Sequence, residues 1–290
     1  MQEHWHKVEK KDDLFFNSKV AYERFCKQKA SVSQEKKDDR HTLFASYRWA
    51  AMVLGLILGG ISMYVANNQI IRNNTNQYAI SVPYGSKTQL LLPDGSKVWL
   101  NAGSTLKYAQ NFGTKTRRVK LSGEAYFEIA KNAGKPFIVL TNEASVKVIG
   151  TKFDVKAYPE DQRLDVTLLR GSVQLNTNYQ PDKSYIMKPN QHAIIDKVDR
   201  KVRMEATDAS RSAAWTEGKI LFDEDQFGQI VRRLEREYNV EIEVKDSKLM
   251  NQRFYGDFSK AQSIQEILGI MTSNNEFSYT MKGNHICIFY

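Results

Sequence analysis

The residues best able to do chemistry in this chain are few and poorly grouped. Glu124 and Glu128 form a carboxylate pair four residues apart, a start for general acid–base work on a glycosidic bond. On a strand that spacing puts both on one face about 13 Å apart, wider than either glycosidase geometry. His4 and His6 flank Trp5 at i, i+2, on different helix faces, while His192 and His285 stand alone. There is no Cys-x-x-Cys pair, no glycine-rich phosphate loop ending in Lys-Ser/Thr, and no Gly-x-Ser-x-Gly elbow. The two glutamates therefore read as solvated strand carboxylates. The sequence points away from an enzyme, and it offers no catalytic residue, cofactor or metal site.

The elements that would position such residues are mostly strands. In "LLLPDGSKVWLNAGSTLKY", Pro93, Asp94 and Gly95 supply a type I turn. Beyond it Val98, Leu100 and Ala102 alternate with Lys97, Trp99 and Asn101, the period of a half-buried strand. From Ile80 to Met204 the pattern continues as "RRVKLSG", "AYFEIA", "PFIVLT", "ASVKVIGTKFDVKAY", "LDVTLLRGSVQLN", "SYIMKP" and "HAIID". An all-β sandwich or solenoid-like stack is expected here. After Arg211 the period changes. Phe227, Ile230, Val231, Leu234 and Tyr238 share one helical face, and Ser263 with Glu266 forms a capping box before Ile264, Ile267, Leu268 and Met271. With strands at "GKILF", "VEIEV", "RFYGDF", "EFSYTM" and "HICIFY", the order is β-α-β-β-α-β-β, a small α+β domain.

One segment breaks the soluble average. "WAAMVLGLILGGISMYVA", residues 49–66, carries no charge over 18 positions, enough for one helical crossing of a bilayer. Lys29, Lys36, Lys37, Arg40 and Arg48 precede it closely, while only Arg72 follows within 20 residues. This bias puts the N-terminus in the cytoplasm and residues 67–290 outside, in the periplasm of a Gram-negative cell. The net charge of +9 then divides unevenly. Residues 1–48 hold 11 cations against 8 acids, residues 67–210 hold 21 against 13, and residues 211–290 hold 10 against 12. Most of the surplus lies across the membrane from nucleic acid, so direct nucleic-acid binding is not expected. A solvated basic face near an anionic envelope fits better. Cys26 and Cys287 fall on opposite sides and form no disulfide framework.

The first 48 residues are too few to bury a core of their own. Large apolar groups nevertheless recur there, and "SKVAYERFCKQK" has helical character. Such a segment stays loose or folds against a partner. The expected organisation is a cytoplasmic segment over 1–48, a transmembrane helix over 49–66, and a stalk over 67–81. A β domain over 82–208 and an α+β domain over 211–290 follow.

The strand motifs "LPDGSKVWLNAGSTLKY", "LSGEAYFEIAKNAGKPFIVLT", "VKVIGTKFDVKAY" and "VTLLRGSV" resemble those of FecR (iron-dicitrate sensor) family anti-sigma factors of the Bacteroides type. The likeness runs from about Val82 to Asp196. The tail from Arg211 resembles the C-terminal domain of the same proteins, similar in fold to secretin and TonB short N-terminal domains. Arg170 replaces the usual acid before Gly-Ser-Val, and Asn190 replaces a common turn glycine. The cytoplasmic part is also shorter than in many members.

The resemblance implies a single-pass inner-membrane regulator, with its N-terminus cytoplasmic and its C-terminus periplasmic. It would relay a signal from the N-terminal signalling domain of a TonB-dependent outer-membrane transporter to an extracytoplasmic-function sigma factor, with an intramembrane protease acting between. Phe15, Phe16, Tyr22 and Phe25 are the expected sigma-factor contacts. Phe254 and Tyr255 of "RFYGDF" and Ile286, Ile288 and Tyr290 of "HICIFY" are the expected transducer contacts, because both strands are candidate sheet edges. The competing reading is a structural envelope protein that docks an outer-membrane or export assembly without signalling.

Overall fold

A computed structural model of the chain describes residues 18–32, 52–64, 77–114, 116–259, 261–273 and 277–290. The chain forms two compact units, Met1–Asn74 and Thr75–Tyr290. In the first unit, α1 spans Ser18–Val32 and α2 covers residues 52–64. Val20, Tyr22 and Phe25 of α1 are exposed, as are the apolar side chains of α2 from Met52 to Tyr64. Among the described residues no helix is long and apolar enough to cross a membrane. The ends of the expected 49–66 span lie outside the described residues. The α2 portion alone rises about 20 Å, short of a hydrocarbon core of about 30 Å.

The second unit opens with thirteen strands in one curled sheet. They are β1 (Gln77–Ser81), β2 (Thr88–Leu91), β3 (Lys97–Leu100), β4 (Thr105–Ala109), β5 (Arg117–Glu128), β6 (Phe137–Leu140) and β7 (Ala144–Val148). Then come β8 (Lys152–Ala157), β9 (Arg163–Arg170), β10 (Val173–Thr177), β11 (Gln180–Met187), β12 (Gln191–Asp196) and β13 (Val202–Ala206). β1 corrects the expected stalk, because Gln77–Ser81 pairs antiparallel with β4 as part of the sheet.

β5 is the strand that curls the sheet. Its first half lies between β4 and β6, and its second half lies between β3 and β8. One ladder therefore runs β1-β4-β5-β6-β7-β10-β11 and the other β2-β3-β5-β8-β9-β12-β13. The switch falls at Gly123, whose φ of +109° suits glycine alone. A Cβ there would meet Ser104 Cα at 2.6 Å. Two runs read as single strands are likewise split, at Ile149–Gly150 and at Gly171–Ser172, so that each half joins a different ladder. Both ladders feed one core. Phe127 stacks on Phe153 at 4.9 Å and meets the edge of Phe137 at 6.1 Å.

A short helix α3 (Ser210–Ala213) and a 3-10 turn, Ala214–Glu217, lead into the second lobe. It contains β14 (Lys219–Gln226), α4 (Phe227–Tyr238), β15 (Glu241–Val244), β16 (Arg253–Ser259), α5 (Ile264–Ser273), β17 (Ser278–Lys282) and β18 (His285–Phe289). The β-α-β-β-α-β-β order is observed, and the capping box is made: Ser263 N donates to Glu266 Oε2 at 2.6 Å, and Glu266 N donates to Ser263 Oγ at 3.3 Å. Phe222, Phe227, Leu234, Phe258, Leu268 and Ile288 belong to a separate core.

The edge assignment needs correction. β18 is the middle strand of its sheet, parallel to β15 on one side and antiparallel to β17 on the other. It has no free main-chain edge, and Ile286 and Ile288 point into the core. β16 pairs only with β14 among the described strands, yet its Phe254 is also buried. Tyr255 and Tyr290 are exposed.

Candidate functional site

The β lobe and the α+β lobe meet through charged and aromatic side chains, most of them buried. At the centre is Arg236 on α4, 4% exposed. Its neighbours on the helix, Leu234 and Tyr238, pack inside their own lobe, so Arg236 leaves from the opposite face. Its Nη1 donates to Glu160 Oε1 at 2.9 Å and its Nη2 to Asp161 Oδ2 at 3.3 Å. Its guanidinium lies over the Tyr158 ring at 3.7 Å. Arg232, one turn earlier, donates from Nε to Asp161 Oδ1 at 2.9 Å. Burial alone would raise the Asp161 pKa, but Arg236, Lys156 and Arg232 outweigh it and hold the carboxyl below its usual range.

A second cluster lies beside the first. Trp215, 2% exposed, donates from Nε1 to Asp154 Oδ1 at 3.2 Å. Burial, reinforced by the nearby charge of Glu124, pushes the Asp154 carboxyl well above its usual range. Lys87 Nζ donates to the Trp215 carbonyl at 3.2 Å and pairs with Glu237 Oε2 at 3.0 Å. Glu237 is 4% exposed and no well-aligned hydrogen bond reaches its oxygens, so the Lys87 charge is its compensation. The backbone closes the seam, with Gly85 N donating to Arg236 O at 2.8 Å.

Flanking this seam is a cleft of about 420 Å³. Arg163 Nε holds Asp165 at 3.0 Å and Arg163 Nη2 reaches Asp225 of the other lobe at 3.5 Å. His192 stood alone in the sequence, but here it is bracketed, with Nε2 3.0 Å from Asp165 and Nδ1 3.4 Å from Glu205. Burial works to raise the Asp165 pKa, yet Arg163 and His192 bring it down to about 2. Among the described residues no group of His, Cys, Asp and Glu is arranged to hold a metal ion.

The sequence-derived residues fall elsewhere. Glu124 accepts from Asn101 Nδ2 at 2.7 Å and Glu128 pairs with Lys152 at 2.7 Å, so both carboxylates are half-buried and engaged, and neither is freely solvated. Tyr22 and Phe25 lie exposed on α1, whereas Phe15 and Phe16, like His4 and His6, lie outside the described residues. Tyr255 sits on the outer side of β16 with its hydroxyl on Glu224, and Tyr290 accepts from Gln252 Nε2 at 2.6 Å. Phe254, Ile286 and Ile288 are core residues. The seam itself was missed. Its members lie more than 60 residues apart, and the one local sign was "YPED", an aromatic followed by two acids at a turn, residues 158–161.

A large all-β lobe is thus joined to a small α+β lobe through buried ion-pair, hydrogen-bond and aromatic contacts. The description "FecR protein" matches residues 78–174, and "FecR, C-terminal" matches residues 219–288. Two crystal structures of a candidate anti-sigma factor from Parabacteroides distasonis, at 1.65 and 2.50 Å resolution, are similar to this chain. Each is 32% identical with a TM-score of 0.68; the matches cover 73% and 74% of this chain and 98% and 99% of theirs. No curated protein sequence matches. This chain belongs to the FecR family.

Proposed function

We propose that the chain is a membrane-anchored anti-sigma factor and carries no catalytic activity. Support comes chiefly from the solved Parabacteroides distasonis relative, a candidate anti-sigma factor whose chain is matched almost end to end at 32% identity. In this reading the apolar 49–66 segment crosses the inner membrane, and the two-lobed unit stands in the periplasm. There it receives the signalling domain of a TonB-dependent outer-membrane transporter. The exposed Tyr255 and Tyr290 stand for the receiving surface, with the outer edge of β16 open to main-chain pairing. An intramembrane protease would cut the anchor when the signal arrives.

On the cytoplasmic side, Tyr22 and Phe25 lie one turn apart on α1 and expose 69% and 59% of their surface. Buried against an extracytoplasmic-function sigma factor, each contributes roughly 1.5–3 kcal/mol by area. Phe15 and Phe16 are proposed to extend the same contact. The test is a pull-down of the sigma factor encoded beside the gene by the full chain in detergent. Tyr22→Ala with Phe25→Ala is expected to weaken capture by roughly 10²-fold or more, from about 3 kcal/mol or more of lost burial. Equal capture by the double variant would count against these contacts, and no capture by the parent chain would count against the function.

A further inference from the structure

The outer face of the first ladder has a charge pattern that the fold does not need. Side chains alternate along β5, so Val119 and Leu121 enter the core while Arg118 and Lys120 point outward. Lys120 stands directly opposite Lys107 of β4. Arg118 stands opposite Ile138 of β6, which in turn faces Lys147 of β7. Lys107, Arg118, Lys120 and Lys147 are all exposed. The cross-strand row through Lys120 continues to Leu140, Ser145, Asn176 and Ser184, and the row through Lys147 continues to Gln174 and Ile186. No Asp or Glu occupies a paired position on either row; Asp182 lies beyond them in the β10–β11 hairpin. None of the four cations takes part in an ion pair among the described residues. Like charges directly opposite on neighbouring strands cost stability, so Lys107 against Lys120 is kept at the expense of the fold.

We infer that this face docks on a bilayer surface bearing anionic phospholipid headgroups. The inference rests on the anchored reading above. β1, an edge strand of this same ladder, begins eleven residues after Ala66, the end of the apolar segment. Eleven residues reach about 40 Å at full extension, so the sheet is tethered beside the membrane that would hold the span. A cationic sheet face with a few aliphatic side chains (Ile138, Leu140, Ile186) matches a headgroup layer: charge supplies the attraction and the aliphatics meet its apolar boundary. Docked in this way, the sheet would turn the smaller lobe and its β16 edge in a fixed direction relative to the membrane.

The test places the full chain in nanodiscs of equal parts phosphatidylglycerol and phosphatidylcholine, or of phosphatidylcholine alone, and maps lysine acetylation by mass spectrometry. Each cation at an anionic surface contributes about fivefold in occupancy. Labelling of Lys107, Lys120 and Lys147 is therefore expected to fall several-fold in anionic discs and to recover in 0.5 M salt, where the screening length shrinks to roughly 4 Å. The exposed Lys201 and Lys219 should label equally in both. In Lys107→Glu/Lys120→Glu, changes confined to exposed positions, protection of Lys147 should be lost. Equal labelling in the two discs, protection that does not depend on lipid charge, or undiminished Lys147 protection in the variant would each overturn the inference. If the chain is not retained in the discs, the anchored reading fails. The same labelling contrast with chain added to preformed discs then still decides the face.

Discussion

Asp154 and Asp165 show how neighbours a few ångströms apart give one chemical group two opposite roles. Both are buried on the β8–β9 face, but Asp165 has Arg163 and His192 for company, while Asp154 has an indole N–H and the repelling charge of Glu124. The linkage signs follow from these directions. Asp165 has a depressed pKa, so its contribution is present above about pH 4 and is lost as pH falls towards 2. A drop from the ordinary 3.8 to about 2 corresponds to roughly 2 kcal/mol. Asp154 has a raised pKa, so its stabilisation holds at low pH and disappears as pH rises through the folded value. Asp165→Asn is expected to flatten the acid limb of the stability–pH curve, read by urea unfolding between pH 5 and pH 2.5. Asp154→Asn, which keeps an acceptor for Trp215, should stabilise the protein at pH 8. The same substitution lowering stability at pH 8 would mean that the carboxylate, and not the neutral acid, is the form the fold wants.

Among the elements, β5 carries the largest structural demand, because a single strand must serve two ladders. Gly123→Ala puts a methyl against the Ser104 backbone and strains a φ of +109°, so both the bend and the Ser104 Oγ bond to Glu124 O would be disturbed. A loss of more than about 2 kcal/mol is expected in urea unfolding, against near-neutrality for Gly134→Ala, which has space and an ordinary φ. How far the elements were legible follows from what is local. The Pro93–Gly95 turn, the Ser263–Glu266 box and the apolar stripes of α4 and α5 are set by near neighbours, and they stand in the structure where the pattern put them. Asn190 likewise takes a positive φ of +62°, which asparagine tolerates. The DEDQ stretch, residues 223–226, precedes the apolar helical face and carries no strand alternation of its own. Yet it completes β14, across a bulge that places Glu224 at φ +54°. Which strand is an edge is a non-local fact. "HICIFY" alternates equally well at an edge or in the centre, and only the parallel partner β15 decides it.

The second unit, taken whole, has two cores and one seam, and the seam decides whether the lobes behave as one body. Two separate apolar clusters would ordinarily unfold separately. Here Arg236 and Trp215 each bury their polar atoms against the other lobe, so pulling the lobes apart exposes Asp161 and Asp154 as well as their partners. Breaking one buried pair by removing a partner costs about 3–5 kcal/mol, because the remaining charge stays without compensation. That is a large share of the stability of a domain this size. In the proposed relay, this stiffness would let a displacement of the small lobe reach the large one, which a loose hinge would dissipate. Calorimetry of the full chain should therefore show one endotherm for both lobes. Arg236→Ala combined with Trp215→Ala should split it in two, with the α+β lobe melting first because its core is the smaller. Each lobe should keep its own strand signature by circular dichroism until its transition. A single endotherm that merely shifts down in the double variant would mean the lobes are joined by something other than this seam. Two endotherms in the parent chain would mean they were never mechanically one.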